Sequence, residues 1–246
     1  MSHKVSGDRH RPTLVSFSGI DGAGKSTQIE ILRTRLCQAG LRVRLLAFWE
    51  DVALLTKFRE FTSHTLFRSN KGVGAPGQPV NRRDKNVQSW YMTPVRFLLY
   101  LLDALSLCFA VAQAQTATAD VVVFDRYLYD ELANLPLDRL IPRAYVRWLL
   151  KLLPQPDIPY WLDADPDQAH DRKPEYPLEF IRSNRAAYAM LSEMAGMTVV
   201  APGSVRDVSD SIMQKLSEKL AESAGAEFAS VSRKKLNPGV DFSTNR

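Results

Sequence analysis

Cysteine is scarce in this sequence: Cys37 and Cys108 are the only two, and they offer no metal-ligand spacing. That count leaves no disulfide framework, and both residues, in apolar helical contexts, are expected as reduced core thiols of a cytoplasmic protein. No secretory signal is expected, because the first residues are polar and charged. An apolar run of the ~20 residues that a bilayer span requires is lacking. The nearest, residues 97–112, is interrupted by Asp103 and followed by Gln113 and Gln115; it reads as a buried helix, with no membrane partner expected. A concentrated basic face is missing too. The formal charge is +5, yet residues 1–12, 68–85 and 225–246 together carry +8 and leave −3 for the rest. Positive charge gathered on segments read as mobile gives weak attraction to anions, so no specific nucleic-acid partner is expected.

What is present is enough to bury a substantial core: 246 residues, 45% of them hydrophobic. Residues 1–11 read as a disordered leader, 12–224 as one domain and 225–246 as a disordered tail. Strands are expected at 13–17, 41–48, 120–124, near 158–162 and at 198–201. Helices are expected at 27–38, 52–67, 93–118, 142–153, 177–195 and 205–223. Gly40 stands at a helix C-cap, and Thr93 with Pro94 form a helix start. Residues 69–86 hold Gly72, Gly74, Pro76, Gly77 and Pro79 among basic residues and read as a flexible basic loop. Strands alternating with helices predict a parallel sheet, with ligands at the carboxyl ends of its strands.

Between the first strand and the first helix lies Gly19-Ile-Asp-Gly-Ala-Gly-Lys25-Ser26, which fits G-x-x-x-x-G-K-[ST] without a mismatch. Each part has a chemical reason. Glycines let backbone N–H groups converge on phosphate oxygens, and the helix N-terminus adds a positive dipole. Lysine reaches the β- and γ-phosphates, and the serine hydroxyl binds Mg²⁺. The expected cofactors are therefore ATP and Mg²⁺. Gly19, Asp21, Gly22, Ala23, Gly24, Lys25, Ser26 and Thr27 are the candidate nucleotide contacts. The fold expected is a P-loop NTPase, a three-layer α/β/α domain with a five-stranded parallel sheet.

The run Phe17-Ser-Gly-Ile-Asp-Gly-Ala-Gly-Lys-Ser-Thr-Gln28 resembles the thymidylate kinase family of nucleoside monophosphate kinases. The resemblance implies that Asp21 faces the acceptor's sugar; a loop-stabilising cap is the alternative. A second anchor is Asp125-Arg126-Tyr127 at the end of an all-apolar strand. A carboxylate there can organise Mg²⁺ and a guanidinium can grip phosphate bidentately. The family carries this element, which implies Asp125 as a metal or acceptor organiser and Arg126 as acceptor clamp. A salt bridge closing a strand end is the alternative. The stretch from Pro156 to Ala169 and the spacing of Phe180, Arg185 and Tyr188 are similar to the family's fourth strand and the helix after its lid. With Ala23 in the loop and no arginine, a lid cation must come from elsewhere: Arg172 first, then Lys173 and Arg182, in a short lid about 171–179. Solvated helix charges are the alternative for each. Gly203, Ser204 and Val205 occupy the turn that lies along the adenine in related kinases.

The acceptor half departs from the family pattern. The family's arginine after the second strand is absent from residues 46–51, and Asp103 stands where the long helix should supply a base-reading arginine. The catalytic set expected is Lys25, Asp125, Arg126 and Arg172, with Ser26 and Asp125 on the metal. The expected reaction is phosphoryl transfer to a (deoxy)nucleoside monophosphate, with dTMP to dTDP as the single best guess. A kinase of another small molecule and a non-catalytic nucleotide-binding regulator remain as alternatives. A homodimer through the long helices is compatible with the resemblance.

Overall fold

The structure is a computed structural model that describes residues 11–52, 92–116 and 118–236, with backbone alone at 50, 51, 92–95 and 223–236. Five strands form one parallel sheet: β1 (Thr13–Ser18), β2 (Val43–Ala47), β3 (Val121–Asp125), β4 (Ile158–Leu162) and β5 (Thr198–Val200), in the order β2-β3-β1-β4-β5. β1 is central, paired with β3 through Thr13↔Val121 to Phe17↔Asp125 and with β4 through Val15↔Ile158 to Ser18↔Trp161. Every residue of β1 and β4 is buried, which accounts for their near-continuous apolar sequences.

Side-chain alternation sends each strand's residues to two separate cores. Val15, Phe17, Val121, Val123, Ile158 and Tyr160 pack with Ile29, Leu32 and Leu36 of α1 (Lys25–Gln38) and with Ile212 and Leu216 of α7 (Val205–Leu236). Leu14, Val122, Phe124 and Trp161 pack on the other face. They meet α2 (Met92–Gln115), α3 (Leu128–Leu132), α4 (Leu140–Leu152), α5 (Pro166–Arg172) and α6 (Leu178–Ala195). At about 1.5–3 kcal/mol per fully buried large apolar side chain, these two layers hold the sheet between them. The result is the three-layer α/β/α P-loop NTPase fold. The loops after β1, β3, β4 and β5 gather at one edge, where the site lies.

Several boundaries differ from expectation. The helix expected at 52–67, the loop 69–86, residues 1–10 and residues 237–246 lie outside the described residues. A wide helical turn, Phe48–Val52, follows β2. α7 continues past 223 to Leu236, through Gly225 and into the segment read as a tail; a single glycine inside a helix costs only about 1 kcal/mol. The two cysteines are free but are not core thiols: Cys37 is exposed and Cys108 half-buried. Each sits one position beyond a buried leucine, Leu36 and Leu107, and so turns away from the buried stripe. α2 is buried along one face only. Tyr100, Asp103, Ala104, Leu107, Val111 and Ala114 line the core, while Leu98 and Leu105 (59% exposed each) and Phe109 (73%) point outward. Its segment Arg96–Gln115 is long and apolar enough to cross a membrane by length and composition alone, and 33% of it is buried.

Candidate active site

The loop after β1 needs backbone angles that only glycine adopts cheaply. Gly19, Gly22 and Gly24 have φ of 147°, 86° and 87°. A methyl group on Gly19 would collide with the Leu162 carbonyl at the end of β4, and one on Gly22 with the Ala169 carbonyl in α5. The loop is thus held by backbone packed directly on backbone. Lys25 starts α1 and is 7% exposed. Its ammonium donates to the Gly19 carbonyl (2.5 Å) and the Ile20 carbonyl (2.9 Å), curling back over the loop. Burial, then the neighbouring Arg126 charge, pulls its pKa down to about 8 against the pull of Asp130, Asp21 and Asp125. Ser26 and Thr27, the next two residues, are exposed at the mouth.

Asp125 ends β3, and Arg126 follows with φ of 68°, a left-handed conformation that costs a non-glycine residue about 1–2 kcal/mol. That turn aims the guanidinium at the phosphate loop. Its Nη2 lies 2.5 Å from Asp21 Oδ1 and its Nη1 3.6 Å from Asp130 Oδ1. Burial opposes the guanidinium's charge, but Asp130 and Asp21 outweigh it and hold its pKa above the ordinary value. Arg126 is thus paired with Asp21 of the phosphate loop, a partner the sequence did not suggest, and that salt bridge faces a pocket. The pocket is lined by Asp21, Arg126, Asp130, Asn134, Phe180 and Tyr188, among others.

On the other side of the loop a cavity of about 290 Å³ is lined by Gly22, Ala23, Gly24 and Thr27, by Arg172, and by Gly203 and Val205. Arg172 reaches the phosphate loop, its Nη1 3.4 Å from the Gly22 carbonyl. The other lid candidates are engaged elsewhere. Lys173 pairs with Glu175 (3.3 Å), and Arg182 with Asp167 (3.0 Å) and Glu179 (3.2 Å). Ser204 has a structural task, capping α7: its hydroxyl accepts from the Asp207 N–H (3.2 Å) and donates to the Asp207 carboxylate (2.6 Å). Of the residues singled out from sequence, the structure thus brings Gly19, Asp21 and Arg126 to one pocket and Gly22, Ala23, Gly24, Thr27, Arg172, Gly203 and Val205 to the other. Lys25, Ser26, Asp125 and Ser204 are in the lining of neither.

Sequence reasoning missed Asp130, Ser18 and the bidentate pair of Arg185 with Asp163 (2.7 Å twice) that ties α6 to the end of β4. Asp130 stands four residues after Arg126, on the five-residue helix α3, and that spacing was the available signal. Among the described residues there is no group of three or more His, Cys, Asp or Glu side chains that could cage a metal. Mg²⁺ is usually held by one or two protein oxygens together with substrate phosphates. The exposed Ser26 hydroxyl and Asp125, whose charge is felt at Lys25, are donors of the right kind.

Comparison with curated proteins brings out thymidylate kinases. That of Pelodictyon phaeoclathratiforme is 26% identical over 163 residues, 65% of each chain. That of Chlorobium luteolum is 28% identical over 163 residues, 65% of this chain and 66% of the relative. That of Bifidobacterium longum is 29% identical over 162 residues, 64% of this chain and 69% of the relative. The matches to the first two span slightly less than two thirds of those relatives' length. No family model matches the chain. Together with the fold, these matches show a chain similar to thymidylate kinases at low identity.

Proposed function

We propose that this chain transfers the γ-phosphoryl group of ATP to a small acceptor by direct in-line displacement, as a nucleoside monophosphate kinase. The reaction dTMP + ATP to dTDP + ADP is the first to test. The observation that carries this reading is the glycine loop itself: Gly19, Ile20 and Asp21 line one pocket and Gly22, Ala23 and Gly24 the other, with Lys25 buried at its end and bonded to the Gly19 and Ile20 carbonyls. In this reading Gly19, Gly22, Ala23, Gly24 and Thr27 cradle the donor phosphates, and Gly203, Ser204 and Val205 run along the adenine. Ser26 and Asp125 hold Mg²⁺, which neutralises phosphate charge when bound. Lys25 leaves the Gly19 and Ile20 carbonyls to stabilise the transferring group. Arg172 stays on the loop as water is excluded, and Arg126 exchanges Asp21 for the acceptor. The same reading takes 12–224 as one cytoplasmic kinase domain with a short lid about 171–179, active as a homodimer.

A second reading, a kinase of an uncharged hydroxyl-bearing acceptor, is favoured by one observation: Arg126 is already engaged by both Asp21 and Asp130. The experiment is ADP release from Mg²⁺–ATP against a panel of nucleoside monophosphates and nucleosides, with Lys25→Ala as control. Turnover with a monophosphate that is lost in the variant supports the first reading. Turnover with nucleosides alone supports the second. Tight ATP binding without turnover on any acceptor overturns both and leaves a regulator.

A further inference from the structure

Among the described residues, the charged groups around Lys25 do not balance. Lys25 and Arg126 bring two positive charges, while Asp21, Asp125 and Asp130 bring three negative ones. Asp130 is the most deeply placed carboxylate in the pocket wall, 5% exposed. Its Oδ2 accepts from the Ser18 hydroxyl (2.7 Å) and the Tyr127 N–H (3.2 Å). Its Oδ1 accepts from the Tyr188 hydroxyl (2.9 Å) and lies 3.6 Å from Arg126 Nη1. Ser18 belongs to the buried β1, and Tyr188, 2% exposed, stacks on Trp161 with ring centroids 6.2 Å apart. Three donors on rigid elements therefore fix this carboxylate in place. An acceptor can displace Asp21, which sits on the loop, but it cannot move Asp130 away from Arg126. The other described residues of the wall are neutral. Asn184 Nδ2 donates to the Ala133 carbonyl (3.1 Å) and to Asn134 Oδ1 (3.3 Å), and Tyr176 and Phe180 close the pocket with their rings.

We propose that Asp130 is a specificity-determining positioning residue acting through Arg126: it keeps the guanidinium's charge committed. The pocket then favours acceptors that are uncharged where they meet Arg126 over phosphate monoesters. This rests on the pocket being the acceptor site, and of the two readings given above it favours the second, the uncharged hydroxyl-bearing acceptor, over the monophosphate. A purely structural role for Asp130 gives the opposite sign, because damage to the pocket loses affinity and never gains it.

The test is a calorimetric titration of inorganic phosphate into the full chain holding Mg²⁺ and a non-hydrolysable ATP analogue. Wild type is compared with Asp130→Asn, Asp130→Glu, Arg126→Gln and the Asp130→Asn/Arg126→Gln double variant. Asp130→Asn is expected to bind phosphate about tenfold or more tightly, the scale of removing one close like charge. The double variant loses that gain, and Asp130→Glu stays close to wild type. In wild type, Arg126→Gln is expected to change phosphate affinity by less than about threefold, since the charge is already engaged. Unchanged or weaker binding by a folded Asp130→Asn overturns the proposal. So does a loss of about tenfold or more on Arg126→Gln in wild type, a comparison that stands even where Asp130→Asn fails to fold. Failure of the ATP analogue to bind would overturn the kinase reading separately, and the Arg126 comparison can be repeated without it.

Discussion

Lys25 is the residue whose environment gives the clearest pH signature. In the proposed reaction its ammonium is needed on the phosphates, and its pKa in the free protein is pulled down to about 8 by burial and by Arg126. The kcat/KM for ATP, which reports the free protein, is therefore expected to fall as pH rises through about 8. Bound phosphates favour the charged lysine, so kcat should hold to higher pH. Stability runs the other way. The unfolded chain protonates Lys25 below about 10.5, so between about 8 and 10.5 it binds more protons than the folded chain, and the Lys25 contribution to stability rises with pH. Thermal melts and initial rates over pH 7–10 check both signs, and a Lys25→Met variant should show neither trend. A kcat/KM that stays flat to pH 10 would contradict the buried placement of this lysine. Lys25 itself was legible in the sequence because its neighbours are fixed by one short motif. Asp130 was not, since its importance comes from Ser18 and Tyr188, which lie 112 and 58 residues away and meet it only in the folded sheet.

At the scale of elements, strand and helix types were readable because apolar periodicity decides them, and the strand expected near 158–162 occurs as β4 (Ile158–Leu162). What periodicity does not carry is how elements press on one another. Gly22 and Gly203 look alike in sequence, both glycines in turns beside a candidate nucleotide cavity. In the structure Gly22 has φ of 86° and α5's Ala169 carbonyl directly over it, whereas a methyl group on Gly203 would meet only Asp207 Cβ and Val208 Cγ2, at 3.7 Å each. Gly22→Ala is expected to lower stability by about 1–3 kcal/mol and to weaken ATP binding, because either the loop or α5 must shift. Gly203→Ala should stay within about 0.5 kcal/mol of wild type. Denaturant unfolding with and without Mg²⁺–ATP separates the two. Equal effects would mean that α5 does not seat on the loop as described.

For the molecule as a whole, α2 shows where composition misleads. Apart from Asp103 its residues 97–112 are mostly apolar, so the sequence reads it as a buried helix, but a helix against a sheet buries only the stripe that faces the core. Leu107 is fully buried in that stripe and Phe109, two residues on, is 73% exposed. Leu107→Ala is expected to cost about 2–5 kcal/mol. Phe109→Ser measures something else: whether the outward stripe of Leu98, Leu105 and Phe109 has a partner. In the homodimer proposed above that stripe is the natural seam, and burying a phenylalanine from each subunit stabilises the pair by about 1.5–3 kcal/mol per side chain. The wild-type melting temperature should then rise with protein concentration, since a dimer's stability is linked to mass action. Phe109→Ser should abolish that rise and sediment as a monomer while keeping its ATP affinity. A melting temperature independent of concentration in both proteins, with identical sedimentation, would remove α2 as the seam and the dimer along with it.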